Sequence, residues 1–118
     1  LLEGGPIIGA TANTVGDIFA LKGIDVDYVG LGPFRHTTTK ENLSPILGLD
    51  GYRKIMNEIR NAGVVLPIVA IGGITLEDIE DIMATGVNGI AMSNAIINAD
   101  NPTEYTKAVL NKLYNRLA

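Results

Sequence analysis

The string Thr37-Thr38-Thr39-Lys40 puts three hydroxyls, their backbone N–H groups and one ammonium on a short arc. Donors and a compact cation in that arrangement suit a phosphate or pyrophosphate; the competing reading is a solvated polar loop. Gly72-Gly73, directly after Val69-Ala70-Ile71, lets the backbone approach a ligand and offer amide donors at a helix start, and the turn from Gly89 to Ala95 repeats the device. Glycines also simply fit tight strand-to-helix turns. Thr11 could donate to an anion, or it could belong to the cap of the following helix, the better-supported reading from the residues alone. His36 is the only histidine, which excludes a multi-histidine metal cluster within one chain and reads as a loop residue. Asp17, Asp25, Asp27 and Asp50 are expected on helices or before strands, away from the ligand end, so no pair of metal-binding carboxylates is expected.

Four strand–loop–helix units must position these residues. Pro6-Ile7-Ile8-Gly9-Ala10 starts the first, with a helix around Ile18, Phe19 and Leu21 ending before Gly23. Asp27 to Gly32 is the second strand, with a helical pattern over Tyr52 to Arg60. The connection from Pro33 to Asp50 exceeds the roughly 12–15 residues beyond which loops are usually functional or disordered. Pro67 to Ile71 is the third strand, followed by a helix with Thr75 as N-cap, Asp78 in capping-box position and Gly86 as terminator. Gly89 to Met92 is the fourth, and a last helix from about Thr103 to Leu117 sets Tyr105, Val109, Leu110, Leu113 and Tyr114 on one face.

Continuous apolar strands in strict βα order predict an α/β protein with a parallel sheet. Both a doubly wound sheet and half of a (β/α)8 barrel, whose full form needs about 250 residues, accommodate four units. In either, ligands sit at the C-terminal strand ends, where the loops above lie. At 118 residues, 47% hydrophobic and 19% charged, the chain is expected to be one domain over residues 1–118. A half-barrel would be a piece of a longer chain with two open strand edges, needing self-association or its missing N-terminal half. The absence of cysteine excludes disulfides, thiolate metal sites and a thiol nucleophile. Nine Lys and Arg against thirteen Asp and Glu argue against a nucleic-acid surface. No apolar run approaches a membrane span and the first residues lack signal-peptide features, so a cytoplasmic protein is expected.

Four segments, Asp27-Tyr28-Val29-Gly30-Leu31-Gly32-Pro33-Phe34, Thr37 to Lys40, Pro67 to Ile74, and Gly86 to Ile96, together resemble the thiamine phosphate synthase family. The Thr-x-Thr-Lys segment after a Val-Gly-Leu-Gly-Pro strand is the most specific part. The resemblance implies strands five to eight of a (β/α)8 TIM barrel. It implies a transferase that couples hydroxymethylpyrimidine pyrophosphate to thiazole phosphate, giving thiamine phosphate and pyrophosphate with Mg²⁺. It further implies that Thr37, Thr38 and Thr39 with Gly73, Ser93 and Asn94 hold the thiazole phosphate. The resemblance also implies that Lys40 and Thr11 touch the departing pyrophosphate, with Lys40 stabilising its charge as the catalytic group. The family's Mg²⁺ ligands come from its first four strands and are not in this chain. Ser93-Asn94 departs from the family, many of whose members have an apolar residue and then Ser. A thiazole tautomerase of the same fold predicts a histidine near Asn13; a noncatalytic phosphate-binding half-barrel predicts retained phosphate loops without metal ligands. Other phosphate-handling barrels would share the glycine turns but would not need Thr37 to Lys40.

Overall fold

The computed structural model describes residues 6–36 and 46–117. The expected binding residues Thr37, Thr38, Thr39 and Lys40 lie outside the described residues.

Strand β1 (Gly9–Ala12) leads into helix α1 (Val15–Phe19), and β2 (Tyr28–Leu31) precedes α2 (Gly48–Asn61). Strand β3 (Ile68–Ala70) is followed by a 3-10 turn (Leu76–Asp78) running into α3 (Ile79–Met83). Strand β4 (Gly89–Ile90) is followed by α4 (Asn94–Ile97) and α5 (Pro102–Leu117). All pairings are parallel and the spatial order is β1-β2-β3-β4, identical to the chain order. A doubly wound sheet reverses its strand order part-way. The sequential order here is that of a singly wound sheet, the half-barrel of the two architectures.

The register explains the two faces. Ala10 pairs with Val29 and Ala12 with Leu31, while Val29 and Leu31 pair with Ile68 and Ala70. Because strand side chains alternate, these residues share one face, and Ala12, Val29, Leu31, Ile68 and Ala70 are buried in one cluster with Ile18, Tyr52 and Ile59 from the helices. Each fully buried aliphatic side chain there stabilises the fold by about 1.5–3 kcal/mol. Thr11, Gly30 and Val69 alternate onto the opposite face. Thr11 is exposed there and Tyr28 is 39% exposed.

Local chemistry fixes the helix starts. Thr14 caps α1 by accepting from the Asp17 amide at 3.1 Å, and Asp17 Oδ2 accepts in return from the Thr14 amide at 3.1 Å. Helix α5 begins with Pro102, whose missing N–H costs nothing at a first position, and Asn101 Oδ1 accepts from the Glu104 amide at 3.1 Å. On α5 the single apolar face expected from the sequence is corrected. Val109 is buried and Tyr105 half-buried, but Leu110 is 42% and Tyr114 64% exposed, because α5 packs on α3 and α4 along only part of that stripe.

The strands also shift. Strand β1 lies toward its loop relative to Pro6–Ala10, and β4 stops at Ile90, although the Ala91 amide still donates to the Ala70 carbonyl at 2.9 Å. Helix α2 starts at Gly48, ahead of the Tyr52–Arg60 pattern, with Leu47 and Leu49 packed against the core.

Candidate functional site

A cavity of about 1120 Å³ opens at the C-terminal ends of all four strands. Its wall is made by Thr11 to Asn13 after β1, Gly32, Pro33, Arg35 and His36 after β2, Ile71 to Thr75 after β3, and Ala91 to Ala95 with Asn98 after β4. Thr11, Gly73, Ser93 and Asn94, separated by up to 83 positions in sequence (11 to 94), therefore meet at one cavity. Thr11 is a residue of β1 and the cap of α1 is Thr14, so the capping alternative for Thr11 does not hold.

The glycine turn has a specific reason. Gly72 and Gly73 have φ of 92° and 69°, where other residues are strained. A Cβ on Gly72 would lie 2.8 Å from Pro33 Cα, and one on Gly73 would lie 2.6 Å from the Arg35 carbonyl oxygen. Glycine is thus required for the loop after β2 to lie against the turn after β3. Three hydrogen bonds hold the two together: Phe34 N–H to the Ile71 carbonyl at 3.0 Å, Arg35 N–H to the Gly72 carbonyl at 3.1 Å, and the Arg35 guanidinium to the Gly73 carbonyl at 2.8 Å.

Wall residues to which the sequence assigns no ligand contact include Asn13, Asp17 and Arg35. Asn13 donates through Nδ2 to the Gly32 carbonyl at 2.8 Å, joining the first two loops. Asp17 was expected away from the ligand end, yet it lines the cavity, because only Asn13 and Thr14 separate β1 from α1 and the cap draws the first helical turn to the strand end. The N–H groups of Asn13 and Thr14 hold its carboxyl below the ordinary range. Arg35 binds Asp78 through two hydrogen bonds of 2.8 and 3.1 Å, and Asp78 Oδ2 also accepts from the Thr75 amide at 2.8 Å and hydroxyl at 2.9 Å. Desolvation pushes the Asp78 carboxyl up, but the guanidinium and the Thr75 donors outweigh it and the net shift is downward. The hydrogen bond to Asp78 raises the Arg35 guanidinium further. The Thr75–Asp78 capping pair itself was readable in the sequence; its junction to Arg35 was not.

Among the described residues, no group of three or more His, Asp or Glu side chains is placed to hold a metal ion. Asp17 is the sole described carboxylate on the cavity wall, and its Oδ2 already accepts two N–H groups. These residues do not fit a Mg²⁺ site.

The family model described as thiamine monophosphate synthase matches residues 1–96. The chain belongs to that family. A thiamine-phosphate synthase of Bacteroides fragilis is 57% identical over 105 residues, covering 89% of this chain and 52% of the relative. The thiamine phosphate pyrophosphorylase of Pyrococcus furiosus superposes with a TM-score of 0.79 at 29% identity, over 95% of this chain and 50% of its own. A native KDPGal structure shares the fold alone, with a TM-score of 0.69 at 13% identity over 93% of this chain and 48% of its own. The chain thus spans about half the length of the thiamine monophosphate synthase relatives it matches, in agreement with a half-barrel. No helix among the described residues is long and apolar enough to cross a membrane.

Proposed function

We propose that residues 1–118 form the phosphate-binding half of a thiamine phosphate synthase, one domain of a longer barrel. The observation that carries this is the meeting of Gly73 with Ser93 and Asn94 on one cavity wall, at the ends of adjacent strands β3 and β4, in a chain of this family. Loops after the last two strands are the common phosphate site of (β/α)8 barrels.

In this reading Gly73, Ser93 and Asn94, with Thr37, Thr38 and Thr39, hold the thiazole phosphate. Thr11, across the cavity on β1, reaches the pyrophosphate of the pyrimidine substrate together with Lys40. As the pyrophosphate departs, positive charge develops on the pyrimidine methylene and negative charge on the leaving oxygens. Lys40 and the hydroxyl donors stabilise that anion, which lowers the barrier only to the extent that they bind it more tightly than the ground state. No nucleophilic side chain is needed. The described residues do not fit Mg²⁺; its ligands would come from barrel strands outside this chain.

The sheet edges β1 and β4 would be closed by that other half or by a second copy of the chain. As a biosynthetic enzyme acting on small phosphorylated substrates, the protein would work in the cytoplasm. The lack of a metal-ligand set among the described residues favours one second reading, a noncatalytic phosphate-binding half-barrel. A thiazole tautomerase is disfavoured by Asn13, whose side chain ties two loops together where a histidine would be needed.

Lys40→Ala separates these readings. A synthase loses most of its turnover with a modest change in thiazole phosphate affinity, whereas equal losses in both would remove Lys40 from the assigned role.

A further inference from the structure

Two consecutive glycines at positive φ make a turn with little conformational preference of its own. Something outside the turn must select the conformation that faces a ligand. Arg35 bonds to it twice and is anchored beside it by Asp78. Its N–H takes the Gly72 carbonyl at 3.1 Å, its guanidinium takes the Gly73 carbonyl at 2.8 Å, and the same guanidinium forks onto Asp78, the acid that caps the next helical turn through Thr75.

The direction of these bonds matters. In a trans peptide the C=O and the following N–H point opposite ways. Fixing the carbonyls of Gly72 and Gly73 toward Arg35 therefore turns the amides of Gly73 and Ile74 away from it, and both residues line the cavity. Arg35 is itself held, with its guanidinium 4.9 Å above the Phe34 ring, and Phe34 stacks on the buried Tyr52 ring at 6.0 Å with 2° between planes. Its charge is matched by Asp78, so it is not the countercharge of an anion.

We propose that Arg35 is a positioning residue that locks the Gly72–Gly73 turn with the amides of Gly73 and Ile74 presented to the phosphate. This deepens the reading given under Proposed function and rests on it for the identity of the ligand. Lysine cannot take the role, because one ammonium cannot span the Gly73 carbonyl and both Asp78 oxygens in a planar fork.

The test compares Arg35→Lys and Arg35→Ala with the unaltered protein in two measurements. One is hydrogen exchange at the Gly73 and Ile74 amides; the other is affinity for thiazole phosphate and for inorganic phosphate. Both variants are expected to exchange faster at those amides and to bind phosphate about tenfold or more weakly, the size of a lost charge-assisted hydrogen bond. Arg35→Lys keeps the charge and decides the matter if Arg35→Ala does not fold. Unchanged exchange, or full phosphate affinity in Arg35→Lys, overturns the proposal. If the unaltered protein binds neither phosphate, the phosphate-binding reading fails instead, while the exchange rates still decide whether Arg35 locks the turn.

Discussion

Arg35 and Asp78, 43 positions apart, are joined by two hydrogen bonds of 2.8 and 3.1 Å, and this pair couples the loop after β2 to the start of the helix after β3. The side chains are unequally exposed, 48% for Arg35 and 16% for Asp78, so solvent screens the pair from one side only.

The pair has a pH signature. The Asp78 carboxyl is lowered in the folded protein, so its contribution to stability is fully present above the ordinary carboxylate value and is lost as pH falls through the lowered one. Asp17 behaves the same way. Urea denaturation midpoints are expected to fall as the pH drops below about 4. Asp78→Asn should flatten part of that fall and leave the Asp17 part in place; an unaltered slope would mean that Asp78 is not coupled to folding.

Tyr52 joins the ends of β2 and β3 from α2. Its hydroxyl donates to the Leu31 carbonyl at 2.8 Å, and burial pushes its ionisation well above the ordinary range. Tyr52→Phe removes one of two donors to that carbonyl, which keeps the Ile71 N–H at 3.1 Å, and is expected to cost about 0.5–1.5 kcal/mol in urea unfolding. A neutral result would show that the Ile71 N–H alone satisfies the carbonyl.

Gly73→Ala places a Cβ against the Arg35 carbonyl at a backbone angle that only glycine adopts easily. The change is expected to destabilise by more than about 1 kcal/mol and to weaken phosphate binding. Calorimetry with thiazole phosphate reads the second effect. Retained affinity would remove Gly73 from the proposed site.

Ile59 is fully buried between α2 and the sheet. Ile59→Ala is expected to cost about 2–5 kcal/mol, measured by urea unfolding, with no change in phosphate affinity per folded molecule, because Ile59 lies away from the cavity wall.

What the sequence made legible was local. The Thr75–Asp78 pair, the glycine turn and the strand-to-helix order are written within a few residues each, and they point to the end of the sheet where the cavity opens. Thr11 stayed ambiguous because Thr11 and Thr14 are both threonines at a strand-to-helix junction, and only the capping geometry assigns the role to Thr14. Asp17 was misplaced because its distance from the cavity depends on how tightly α1 follows β1. The Leu110 and Tyr114 positions on α5 matched a helical stripe, but a stripe does not say how much of it a neighbour covers. The Arg35–Asp78 junction depends on two loops meeting across the sheet, which no spacing rule encodes. Thr37 to Lys40, the most specific part of the family resemblance, lie outside the described residues, so their roles rest on the resemblance.

The most direct measurement is formation of thiamine phosphate from the two phosphorylated substrates with Mg²⁺. It would use this chain combined with the preceding barrel half of the Bacteroides fragilis relative, beside the chain alone and the combination carrying Lys40→Ala. Product is expected from the combined barrel, little from the chain alone and little with Lys40→Ala. A folded combined barrel that binds both substrates and forms no thiamine phosphate would contradict the assignment of this chain as half of a synthase.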